Sequence, residues 1–175
     1  MPKDKEPQSR LPQLIANPVA EYTASNLGLL FEATSGPITM PGNSYIGIML
    51  RNPSASEKRV YLSRILYGAV ANTSFSLIQN GKFAGGDPLT PYNANFGADA
   101  DSGAKLKLIM QGSDPFEGDE PFSTVIPSGG SLVEELNGRL ILPPKSSLGV
   151  RIANNTAQPS LVSLSISWWE LGSAQ

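Results

Sequence analysis

A chain of 175 residues, 40% hydrophobic, supports one globular domain with a sizeable core and is short for two. Its net charge of −2, without a basic block, argues against a nucleic acid or an anionic membrane as partner. The absence of both cysteine and histidine removes disulfides, thiolate chemistry and the commonest general base and metal ligand, so no enzyme and no cofactor is expected.

The first residues, MPKDKEPQSR, lack the apolar core of a secretory signal. The expectation is synthesis in a cytoplasm, with any external destination reached by another route. No run approaches the roughly 18 apolar residues of a membrane span. RLPQLIANPVAEY follows, residues 10–22, with Leu11, Leu14, Ile15 and Val19 apolar but Pro12 and Pro18 interrupting any helical stripe. Residues 1–26 therefore read as a flexible leader, with Asn26-Leu27-Gly28 as a short hinge, and residues 27–175 as the folded domain.

From Ser44 onward the apolar positions repeat every two residues, the strand period. SYIGIMLRN (44–52) places Ile46, Ile48 and Leu50 on one face and ends at Asn52-Pro53. RVYLSRILYGAV (59–70) and TSFSLIQNG (73–81) are β-branched and aromatic. KLKLIMQG (105–112) alternates leucine with lysine, and PFSTVIP (121–127), SLVEEL (131–136) and RLIL (139–142) follow. Asn137-Gly138 between the last two predicts a hairpin, because both central residues of such a turn need positive φ.

The two C-terminal strands are the clearest. SLGVRIANN (147–155) sets Leu148, Val150 and Ile152 against Gly149, Arg151 and Ala153. SLVSLSISWWEL (160–171) sets Val162, Leu164, Ile166 and Trp168 against Ser163, Ser165, Ser167 and Trp169. The first row is core, and the second is small and flat, hydrated or laid against something. The pattern predicts an all-β, jelly-roll-like sandwich of about eight or nine antiparallel strands behind an extended N-terminal connector.

The candidate sites are few. GSDPFEGDEP gathers Asp114, Glu117, Asp119 and Glu120 in one loop, a conceivable calcium site whose spacing matches no EF-hand, so no metal is expected. Asp99 and Asp101 are weaker candidates of the same kind. Trp168-Trp169 invites a sugar platform, but neighbouring strand residues face opposite ways, so Trp168 is assigned to the core and Trp169 to an edge or subunit contact. Asn72-Thr73-Ser74, Asn154-Asn155-Thr156 and Lys145-Ser146-Ser147 read as turn and loop residues.

RLILPPKSSLGVRIANNTAQPSLVSLSISWWE resembles the end of an uncharacterised family of small β-sandwich proteins from spore-forming Firmicutes. The matching residues are Gly138, Leu140, Leu142, Pro143, Pro144, Trp168, Trp169 and Glu170, with Lys145 standing where that family has a glycine. IMLRNPSASEKRVYLSRI matches more loosely, and the resemblance spans about residues 28–170. In layout the chain is also similar to the fibre subunits of bacterial endospore appendages, jelly rolls whose N-terminal connector docks into the neighbouring subunit. It departs from them in lacking the cysteines through which some cross-link.

That resemblance implies a structural subunit of a homopolymeric fibre on a spore surface or outside the cell. Its partners are copies of itself, with an anchoring or tip protein as a further candidate. The connector residues assigned to the subunit interface are Leu11, Leu14, Ile15, Val19 and Tyr22. An extended aliphatic segment suits addition to an open sheet edge, and a head-to-tail contact that does not close makes a filament. The alternative is a carbohydrate-binding sandwich, or a tip or decoration module of a phage or fibre.

Overall fold

The computed structural model describes residues 20–172, which form two antiparallel sheets packed face to face with one short helix, an all-β sandwich. Thirteen strands are present among the described residues. The expected strands are all there, and the additional ones are short: β1 (Leu30–Thr34), β2 (Ile38–Met40), β6 (Asp87–Leu89) and β7 (Tyr92–Asn93). β2, β6 and β7 are too short to show a period of their own; β1 does alternate, with Phe31 and Ala33 buried and Glu32 and Thr34 exposed.

The first sheet is built on β13 (Ser160–Gly172). On one side it pairs along its length with β4 (Lys58–Ala69), and on the other with β1 and then β2. β7 extends β1, while β10 (Ser131–Glu135) and β11 (Ile141–Leu142) both lie along the outer edge of β4. The second sheet runs β6, β8 (Lys105–Gln111), β3 (Tyr45–Arg51), β12 (Ser147–Asn154), β5 (Thr73–Gln79), β9 (Phe122–Ile126).

Alternation along these strands fills the space between the sheets. Ile46, Leu50, Leu148, Val150, Ile152, Val162, Leu164, Ile166 and Trp168 are all buried, as their periodicity requires, together with Phe31, Leu62, Ile65 and Phe75. Tyr67 reaches across this core to donate its hydroxyl to Thr73 Oγ1 at 2.8 Å.

Asn137-Gly138 does not make the expected hairpin. Both residues do take positive φ, 49° and 78°. However, β10 and β11 do not pair with each other; both run antiparallel to β4 in the same direction. The Asn-Gly pair is a jog within an edge strand, and Asn137 N–H and Gly138 N–H donate to the carbonyls of Ser63 and Leu62. Facing the jog, Ser63 is an extra residue in β4: Ser167 lies opposite Arg64, and Trp168 opposite Leu62. This is a β-bulge, which re-aims the strand that carries it.

The leader also differs from expectation where it is described. Ala20–Asn26 form helix α1, which begins two residues beyond Pro18 and so escapes its restriction. α1 packs against β1 and β13 with Ala24 buried, and Glu21 accepts a hydrogen bond from the bulge hydroxyl of Ser63. The expected hinge is the helix C-terminus instead: Gly28 takes φ 66°, and the N–H groups of Leu27, Gly28 and Leu29 satisfy carbonyls of α1's last turn.

Candidate functional site

The residues most able to carry chemistry are Glu170 and the acidic loop, and both are engaged internally. Glu170 follows Trp168 by two, so it points to the same inner side, and it is 1% exposed. Ser102 Oγ donates to its Oε1 at 2.5 Å, Ala104 N–H at 3.1 Å and Trp168 Nε1 at 3.2 Å, while Gly103 N–H donates to Oε2 at 3.0 Å. Lys58 Nζ lies 3.7 Å from Oε2. Burial works against the charge, but the donors outweigh it and hold the carboxyl below its usual range. The arrangement fixes the loop 102–104 over one end of the core, where Ala104 is fully buried.

The acidic loop is a strap across the outer face of the second sheet. Gly47, Gly81 and Gly149 make a floor without side chains, and Phe116 lies on it: a Cβ on Gly149 would come within 2.7 Å of Phe116 Cε1. Met49, Ile78 and Phe83 complete this small apolar cluster. Arg151, projecting from β12, ties the strap down by pairing Nη1 with Asp114 Oδ2 at 2.6 Å and Nη2 with Glu120. Ser76 Oγ donates to Glu120 Oε1 at 2.7 Å. The Glu120 carboxyl is lowered by the hydroxyls of Ser123 and Ser76, with Arg151 adding to them. Two of the four carboxylates considered for calcium are therefore occupied by one guanidinium, and among the described residues no three acidic groups converge to hold an ion. Glu117 and Asp119 remain exposed at the strap's outer rim.

Trp169 turns to the outer side, as the strand period requires, yet it is 5% exposed. Tyr61 stacks on it with ring centroids 5.7 Å apart, and the Gly138 jog closes over its edge. It offers no sugar platform. Exposed aromatics lie elsewhere: Tyr22 on α1, Tyr92 at 63% on β7, and Phe96 at 98% on the following loop, which Asn93 and Asn95 shape. The acceptor triplets, expected in turns, instead straddle strand ends: Thr73 and Ser74 open β5, and Asn154 closes β12. Thr73 is buried against Tyr67, and Asn154 Nδ2 bridges the carbonyls of Pro41 and Gln158. Ser146 and Ser147 donate their hydroxyls to the carbonyls of Pro143 and Gly81.

Of the connector residues, Leu11, Leu14, Ile15 and Val19 lie outside the described residues. Tyr22, on α1, is 65% exposed. What the sequence reading missed is the pairing of Arg151 with the acidic loop, and of Glu170 with residues 102–104. One signal was present: a lone arginine on the small-residue face of β12.

The edges of the sheets differ in how they are guarded. β6 carries Asp87 and Pro88; β2 is three residues long between Pro37 and Pro41; β7 and β11 have two residues each. β10 carries Glu134 and Glu135, paired with Arg139 and Arg64. β9 has five residues, Phe122 to Ile126, with no charge and no proline within it, and Val125 is 62% exposed. Charges and prolines are the usual means of blunting an edge; β9 carries neither within its five residues, although Pro121 and Pro127 bound it as Pro37 and Pro41 bound β2. Comparison with protein-family models and with curated proteins returns no match to this chain.

Proposed function

We propose that the protein is a structural subunit that assembles into a homopolymer, the segment Leu11–Val19 of one copy adding as a strand to the β9 edge of the next. The β9 edge, last in its sheet and uncharged over the five residues between Pro121 and Pro127, supports this reading. An extended peptide laid there gains main-chain hydrogen bonds, and its alternate side chains set the register. Pro12 and Pro18 lie within this segment, where they favour an extended backbone and discourage pairing within its own sheet. The resemblance to endospore-appendage subunits extends the proposal to a fibre on a spore surface. Electron microscopy of the purified protein tests it: filaments are expected, and Val125→Lys, which charges the edge, should abolish them. A full-length protein that stays monomeric at high concentration would overturn the reading.

A monomeric binding module is the second reading, and the exposed rings of Tyr92 and Phe96 favour it. Glycan binding by a monomer, lost in Phe96→Ala, would decide for it.

A further inference from the structure

The geometry points to a second, separate contact between copies of this chain, made by the outer face of the second sheet and driven by opposite charges on that one face. Gly47, Met49 and Arg51 lie on the same side of β3. The acidic strap covers the Gly47 end, and the Arg51 end is basic. Arg51 lies directly opposite Lys105, and Met49 opposite Lys107, in the β3–β8 register. Like charges placed opposite each other on adjacent strands destabilise a sheet, so this placement has a cost that folding does not explain.

None of the three cations reaches a carboxylate within ion-pair distance among the described residues. They rim a shallow cleft floored by Met49, Phe83 and Pro53. Phe83 packs on Phe116 of the strap with centroids 5.3 Å apart, so the basic cleft and the acidic rim adjoin. Glu117 and Asp119, on that rim, are exposed and form no ion pair among the described residues.

A face with adjacent positive and negative patches is complementary to itself after a two-fold rotation. The cleft of one copy then receives the strap rim of the other, and the reverse contact forms at the same time. Each exposed pair contributes little alone, but six cations and four carboxylates meet across the two contacts. This contact does not rest on the connector reading. Connector docking lengthens a filament and is aliphatic, whereas this contact pairs copies side by side and is ionic.

The test uses the full chain. Sedimentation and electron microscopy at about 0.05 M and 1 M salt should show paired monomers, or paired filaments where filaments form, at the lower concentration only. At 1 M the Debye length is about 3 Å, and pairing should weaken by about tenfold or more. Lys105→Glu with Lys107→Glu should lose the pairing, as should Glu117→Lys with Asp119→Lys. An equimolar mixture of the two variants should restore it, because each reversed patch then meets its complement; this recovery also shows that both variants fold. Loss of filaments with salt-sensitive pairing intact sinks the connector reading alone. Pairing that is absent, unchanged by either reversal, or not restored on mixing overturns this one. So does binding of poly-glutamate to the cleft by a chain that never pairs.

Discussion

Gly138 lies against the ring of Trp169, so closely that a Cβ there would stand 2.7 Å from both Cζ2 and Cη2. Gly138 also takes φ 78°, a region that residues with a Cβ rarely adopt. Gly138→Ala therefore meets two obstacles, and a loss of about 1–3 kcal/mol is expected from denaturant unfolding. The effect should shrink when Trp169→Leu is present, since that change removes the clash but not the strain.

Glu170 gives the fold a dependence on acid. Its carboxyl titrates below the ordinary value of 4.5 in the folded state, so the unfolded chain takes up the proton first as pH falls. Its contribution is complete above about pH 4.5 and is lost as pH drops through the folded value. Thermal unfolding between pH 6 and pH 3 should show this loss, and Glu170→Gln should flatten the dependence. Glu170→Ala, which removes the acceptor shared by four donors, two of them buried, should cost about 1–3 kcal/mol at neutral pH.

Within the core, Leu164 is 2% exposed on the inner row of β13. Replacing it with alanine should cost about 2–5 kcal/mol, the range for deleting a buried leucine side chain. Lys145 makes the opposite case. It holds φ 74° in an exposed turn, a conformation that favours glycine. Lys145→Gly should leave stability unchanged or raise it by up to about 1 kcal/mol, because strain relief offsets the added chain entropy. Urea midpoints compared at constant slope would check both changes.

These residues also show where the sequence was readable. The inner row of β13 repeats every two residues for nine positions, so its faces follow from chain geometry alone. β2, at three residues, escapes notice because its strand character is imposed by β13, to which it is paired. β1, also paired to β13, alternates Phe31 and Ala33 against Glu32 and Thr34, a legible period that the sequence reading overlooked. Asn137-Gly138 signals its positive φ correctly, but φ does not reveal which strands the turn joins; the Ser63 bulge in β4 decides that. Trp169 faces outward as its position requires, and only the Tyr61 stack and the Gly138 jog bury it. The acidic loop reads as an ion site in isolation because its counter-ion, Arg151, lies 37 residues from Asp114.

The connector remains the largest functional expectation. Residues 20–172 build both sheets and a core, so deleting residues 1–19 should leave α1 and the sandwich folded, with a cooperative thermal transition. The same deletion should abolish filaments, since it removes the aliphatic segment and its main-chain donors together. Leu14→Asp or Ile15→Asp should act the same way in the full-length chain, because a carboxylate seated in an apolar contact without a partner is strongly disfavoured. High salt should weaken this assembly little, in contrast to the ionic face-to-face pairing. Mixing the 1–19 deletion, whose β9 edge is intact, into polymerising protein should cap growing ends and shorten filaments in proportion to the amount added. Filaments of unchanged length and structure formed by the deletion protein alone would show that the leader takes no part in assembly.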